Sequence, residues 1–139
     1  MTLLLDTSVV IASLDADEPH HEACDRLLSL GRHRLFAHAL AETFSILTGS
    51  RMGRRLGPAT AAELIESAVL PHVELVHLTG HETMIALAEA PRRGARGGAV
   101  YDWLHLAAAR KARVEALITL DRRDFEALIR PGDPDVRTP

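Results

Sequence analysis

Five acidic residues stand where a carboxylate needs a reason to be. Glu42 interrupts the apolar stretch His38-Ala39-Leu40-Ala41-Glu42-Thr43-Phe44-Ser45-Ile46-Leu47. At helical spacing its neighbours are Ser45, Ile46, Ala39 and His38, none of them a fixed cation. Such a charge must reach water, find a partner on another element or hold a metal, because an unpaired buried carboxylate is costly. A place on the wet face of an amphipathic helix is the plain alternative. Asp102 poses the same question within Ala99-Val100-Tyr101-Asp102-Trp103-Leu104-His105-Leu106. In the first turn of a helix it would also be favoured simply by the helix dipole. Asp6 and Asp121 each follow a short apolar run and precede a helix, so each is either a strand-end acid or a helix N-cap. Asp124 lies three positions beyond Asp121, on the same side of that helix.

Were these acids to converge without cations, they would repel one another and raise their own pKa values. A hard divalent cation removes that conflict. Magnesium or manganese prefers oxygen ligands, and magnesium keeps several waters, which leaves room for a phosphate oxygen and an attacking water.

The elements that must position these acids can be read from hydrophobic periodicity. Leu3-Leu4-Leu5 reads as a strand buried on both faces, followed by a helix through Leu14. A second helix is expected to open at Asp17-Glu18-Pro19 and stop at Gly31, with a short strand over Arg34 to Ala37 after it. His38 to Thr48 is a strong helix, Gly49 to Gly57 a basic linker, and Pro58 the start of a helix that stops by Pro71. Val73 to Val76 is strand-like and Gly80 to Ala90 helical. Pro91 to Gly98 reads as a mobile loop before a helix over Ala99 to Arg113. Ala116-Leu117-Ile118-Thr119 repeats the pattern of the first strand and leads to a last short helix, while residues 131–139 form a polar tail or an edge strand near Val136. Alternating strands and helices predict one domain over residues 1–139, a three-layer α/β/α fold with a mainly parallel central sheet. In such sheets the ligand site lies beyond the carboxyl ends of the strands, where Asp6 and Asp121 fall.

Composition narrows the setting. At 139 residues, 47% hydrophobic and 25% charged, the chain can bury a real core without disulfides or structural metal. The single Cys24 cannot form an internal bridge, which suits a reducing compartment. The run at Leu3 contains Asp6, has no basic segment before it and is too short to span a bilayer, so a cytoplasmic location without membrane attachment is expected. A net charge of −3 does not mark a nucleic-acid binder. Bound cations would nevertheless cancel a clustered acidic site locally. Eight histidines, His77 and His81 among them, invite a zinc reading, but that pair straddles a strand-to-helix junction and only one cysteine is available.

Four segments together resemble the PIN-domain nucleases, specifically the VapC-type toxins. Leu3-Leu4-Leu5-Asp6-Thr7-Ser8-Val9-Val10-Ile11 is similar to the family's opening strand and first acid, and Ala41-Glu42-Thr43 to the segment with the second. Gly97-Gly98-Ala99-Val100-Tyr101-Asp102 resembles the approach to the third, and Leu117-Ile118-Thr119-Leu120-Asp121-Arg122-Arg123-Asp124-Phe125 the closing motif. The resemblance implies a PIN-like fold and an Mg2+- or Mn2+-dependent endoribonuclease, leaving a 3′-hydroxyl and a 5′-phosphate. It also implies roles: Asp6, Glu42 and Asp102 at the metal directly or through water, Asp121 or Asp124 completing the pocket, and Ser8 and Thr119 in support. Of the closing acids, Asp121 is expected to be nearer the metal and Asp124 to act through water. A small antitoxin and a homodimer are the partners the resemblance implies.

Two arginine clusters, Arg51, Arg54 and Arg55, and Arg92, Arg93 and Arg96, could guide RNA phosphates into the pocket or be solvated basic loops. Two other functions compete with the nuclease. A haloacid-dehalogenase-type phosphohydrolase also opens on a strand ending in aspartate, but it needs a second acid two residues later, where this chain has Ser8. A catalytically silent PIN-like module would bind RNA or a partner without cutting, although all five acids are present.

Overall fold

The computed structural model describes residues 1–49 and 55–139. Five strands, β1 (Leu3–Leu5), β2 (His33–Phe36), β3 (Val73–Val76), β4 (Ala116–Ile118) and β5 (Asp135–Arg137), form one sheet in the order β3-β2-β1-β4-β5. All four pairings are parallel. Among the described residues seven α-helices cover the sheet: α1 (Thr7–Leu14), α2 (His21–Leu30), α3 (His38–Thr48), α4 (Pro58–Ala68), α5 (Gly80–Arg93), α6 (Ala99–Lys111) and α7 (Arg122–Glu126).

The alternation of side chains along a strand explains the three layers. Leu3, Leu5, Ala116 and Ile118 point to one face and meet Val9 and Val10 of α1, Cys24 and Leu28 of α2, Leu47 of α3 and Ile65 of α4. Leu4 and Leu117 point to the other and meet Ala86 of α5, Trp103 and Leu106 of α6 and Phe125 of α7. Every residue of β1 and β4 is buried, which is why both read as unbroken apolar runs rather than alternating ones. Each fully buried leucine contributes about 1.5–3 kcal/mol.

The differences from the sequence reading that have a local cause lie at three boundaries. Helix α2 starts at His21, later than Asp17-Glu18-Pro19, because Asp15 holds that segment in a turn: its carboxylate accepts the Asp17 N–H at 3.0 Å and its carbonyl the Glu18 N–H at 3.0 Å. Strand β2 begins at His33, and Ala37 only extends its ladder by donating to the Val76 carbonyl at 2.9 Å. The stretch expected to be a mobile loop from Pro91 is helical as far as Arg93. Gly94 then closes α5 in the left-handed conformation (φ 70°), a geometry that costs glycine little.

The chain runs outward from β1 through β2 to β3, then returns to the opposite side of β1 with β4 and β5. The order therefore reverses between β1 and β4, and a crevice opens beyond their carboxyl ends. Leu5 pairs with Ile118, so the next residues, Asp6 and Thr119, leave the sheet side by side. No helix among the described residues is long and apolar enough to cross a membrane.

Candidate active site

Asp6 is 6% exposed and its amide donates to the Ile118 carbonyl at 2.9 Å, which prolongs the β1–β4 ladder by one step. It precedes α1, yet its side chain makes no capping bond. Its Oδ2 instead accepts the hydroxyls of Ser8 (2.9 Å) and Thr119 (2.8 Å). Each hydroxyl also accepts a backbone amide, Leu120 N–H to Ser8 Oγ at 3.1 Å and Asp121 N–H to Thr119 Oγ1 at 2.9 Å. With their lone pairs engaged, both hydroxyls are aimed to donate to Asp6. Capping, the plain explanation for Asp6, is thus not what its carboxylate does. Ser8 also occupies the position where a dehalogenase-type mechanism needs its second acid, and its hydroxyl is committed to Asp6.

Glu42 finds the distant partner that its own helix lacks. His105 Nε2 lies 2.7 Å from Glu42 Oε1, and His105 Nδ1 lies 3.8 Å from Asp6 Oδ1. The ring is 1% exposed, meets Phe36 edge-on at 5.3 Å, and its Nδ1 has no hydrogen-bond partner. Burial pulls His105 toward its neutral form. The Glu42 hydrogen bond and the charges of Asp6, Glu42 and Asp102 outweigh it and hold the ring's pKa above the ordinary value. In return, burial pushes the Glu42 carboxyl up, but the hydrogen bond and charge of His105, with the charge of His38, bring it below the usual range. Sequence reasoning missed His105. The available signal was its place three positions after Asp102, on the same face of one helix.

Asp102 is half-buried in the first turn of α6. Its pKa is pushed up to about 6, first by burial and then by the charges of Asp6, Asp124 and Glu42, with His105 opposing. Helix-dipole stabilisation alone would have lowered it. Asp121 makes no side-chain cap, and its pKa is also raised, by partial desolvation of its carboxyl and by the charges of Asp6 and Asp124. Asp124 therefore acts on both Asp102 and Asp121. Five acids from β1, α3, α6 and the β4–α7 segment are thus brought within electrostatic reach of one another, with His105 between them.

The donor set fits a hard divalent ion. It is all carboxylate oxygen, and the elevated pKa values mark charge that a cation would neutralise. Among the described residues no three of these groups are drawn tightly enough to form a ready-made cage.

The arginines divide. Arg55, Arg92 and Arg96 are exposed. Arg54 and Arg51 lie outside the described residues. Arg93 corrects the sequence expectation, since it is buried at 5% exposure and is not available to a phosphate. It pairs with Asp133, donates to the Leu128 carbonyl at 3.1 Å and packs 4.5 Å from the centre of the Trp103 ring. Arg110 Nε reaches the same Asp133 at 3.1 Å. This anchoring is also why the stretch after Pro91 is helix rather than loop.

The family model of the PIN domain matches residues 3–130. The chain belongs to the PIN-domain family. Among its PIN-domain relatives, Ribonuclease VapC27 of Mycobacterium tuberculosis is 36% identical over 121 residues, which covers 87% of this chain and 85% of that protein. Ribonuclease VapC40 of the same species is 34% identical over 130 residues, 87% of each chain. A crystal structure of M. tuberculosis VapC20, described as a sarcin-ricin loop cleaving toxin, superposes with a TM-score of 0.69 at 25% identity, covering 95% of this chain and 99% of that one. DNA-bound VapBC of Salmonella typhimurium shares the PIN fold at a TM-score of 0.68 and 20% identity, over 99% and 98% of the two chains.

Proposed function

We propose that this PIN-domain chain is an Mg2+- or Mn2+-dependent endoribonuclease, the toxin of a toxin and antitoxin pair, with RNA phosphodiesters as its substrate. One observation carries the reading: carboxylates from four separate elements meet at the β1–β4 crevice, where burial and mutual repulsion raise Asp102 to about 6. The similarity to ribonucleases of the VapC type gives that crevice its substrate class. A divalent ion there would supply Lewis-acid stabilisation of phosphate charge and make water more acidic.

The chain's own residues supply the rest. Asp6, fixed by Ser8 and Thr119, and Asp102 would hold the ion, with Asp124 and Asp121 completing the acidic wall. Glu42, kept ionised by His105, would accept hydrogen bonds from water at the ion. Arg55, Arg92 and Arg96 carry positive charge toward an incoming phosphate backbone. Solved VapBC assemblies support a small antitoxin as partner. Exposed Met84 and Ile85 on α5 support a homodimer.

The test is cleavage of RNA by purified protein with magnesium, with manganese and with EDTA, comparing the unchanged chain with Glu42→Gln and Asp102→Asn. Metal-dependent cutting that both amides abolish while remaining folded is the expected result. Full activity in both variants would overturn the catalytic assignment, and RNA binding without any cutting by the unchanged chain would leave only a binding module.

A further inference from the structure

The chain has five aromatic side chains, one Trp, one Tyr and three Phe. Trp103, Phe36 and Phe125 are buried and Phe44 is half-buried, whereas Tyr101 is 50% exposed. A single exposed tyrosine is ordinary; three observations set this one apart. Its ring lies against the His38 imidazole nearly parallel, with centroids 5.5 Å apart and 8° between planes. Behind that pair Phe36 tilts against His38 at 5.9 Å, so the exposed ring is backed by others reaching into the core. Beside it opens a cavity of about 340 Å³, lined by Phe36, His38, His77, Thr83, Tyr101 and Leu104.

The position matters as much as the ring. Tyr101 immediately precedes Asp102, and His38 lies one helical turn before Glu42 on α3. His38 and Glu42 share one face of α3, which sets the stack beside the acidic crevice. A planar π-face beside a cavity of 340 Å³ suits a nucleobase, which any ring can stack on regardless of sequence. Imidazoles of His38 and His77 at the rim can exchange hydrogen bonds with a base edge.

We propose that Tyr101, backed by His38, is the platform on which an unpaired RNA base adjoining the cut phosphodiester stacks, the flanking cavity receiving that nucleotide. The inference rests on the ribonuclease reading and adds a specificity-determining subsite to it. It assigns Tyr101 to binding rather than to proton transfer.

The probe is a short single-stranded RNA oligonucleotide of mixed sequence, fluorescently labelled, together with copies carrying one abasic ribose at each position. Binding is measured by anisotropy with calcium in place of magnesium, and cleavage separately with magnesium or manganese. Tyr101→Ala is expected to bind roughly tenfold more weakly and to raise KM by a similar factor, while Tyr101→Phe, which keeps the ring, recovers binding. One abasic position should weaken the unchanged chain by the same factor and add nothing in Tyr101→Ala. Equal binding by Tyr101→Ala, or an equal further loss at every abasic position, overturns the platform. If the unchanged chain still cuts RNA in that case, the ribonuclease reading survives. Ring-dependent binding by a chain that never cuts would instead sink the ribonuclease reading and keep the platform, and failure to bind the oligonucleotide at all overturns the platform.

Discussion

His105 Nε2 and Glu42 Oε1 face each other at 2.7 Å, joining α6 to α3 across the carboxyl end of the sheet. Removing the imidazole leaves a half-buried carboxylate without its donor. His105→Leu should therefore lower stability by about 1–3 kcal/mol, and His105→Gln, which keeps an amide donor, should recover part of it. Denaturant unfolding of both variants checks this; equal stability of the leucine variant and the unchanged chain would mean that the bond contributes nothing in solution.

Asp102 makes stability depend on pH in an unusual direction. Its pKa in the folded chain, about 6, lies above the ordinary aspartate value, so between about pH 4 and 6 the folded state binds the proton more readily than the unfolded one. In metal-free protein, stability from this group rises as pH falls from 7 through 6 and levels off near pH 4. Asp102→Asn should raise stability at pH 7 by about 1 kcal/mol, allowing for partial solvent screening, and flatten that slope. Thermal melts across pH 4–8 in EDTA measure both, and a slope of the opposite sign would show that the acids do not repel as described.

Arg93 and Arg92 are neighbours with opposite expected behaviour. Arg93→Met leaves Asp133 buried beside Arg110 alone and should cost about 3–5 kcal/mol. Arg92→Gln should leave stability nearly unchanged and reduce the salt dependence of RNA binding. Unfolding and salt titrations of the two variants separate these roles; an unaltered salt slope in Arg92→Gln would return that residue to an ordinary solvated surface.

The two closing acids can be ranked by metal titration. The charge of Asp124 acts on both Asp102 and Asp121, whereas the charges of Asp6 and Asp124 act on Asp121. Asp124→Asn is therefore expected to lose at least as much manganese affinity as Asp121→Asn, the reverse of what strand-end position alone suggests. Calorimetric titration decides the order, and a larger loss in Asp121→Asn would restore the expectation from sequence.

The central strands were legible because burial on both faces leaves an unmistakable mark: Leu3-Leu4-Leu5 and Ala116-Leu117-Ile118 each end within three residues of an acid. Helix α3 was legible to the residue because its period is strong. What could not be read was any relationship between distant side chains. His105 looked like one of eight histidines until α6 packed it against Glu42. Arg93 looked like its exposed neighbours because only the arrival of Asp133 makes it a core residue. Local pattern reports periodicity and turns, whereas the pairing of a buried charge is decided by elements that meet after folding.

The reversal of strand order between β1 and β4 has a consequence for synthesis. Asp6 is made 113 residues before Thr119, whose hydroxyl holds it, and well before the strand that flanks β1 on that side. A chain still emerging from the ribosome carries the first acid without its clamp, without Asp102 and without the closing aspartates. An enzyme that attacks RNA would be born amid the RNA of its own ribosome, and this topology withholds the acidic crevice until β4 and the aspartates after it have left the tunnel.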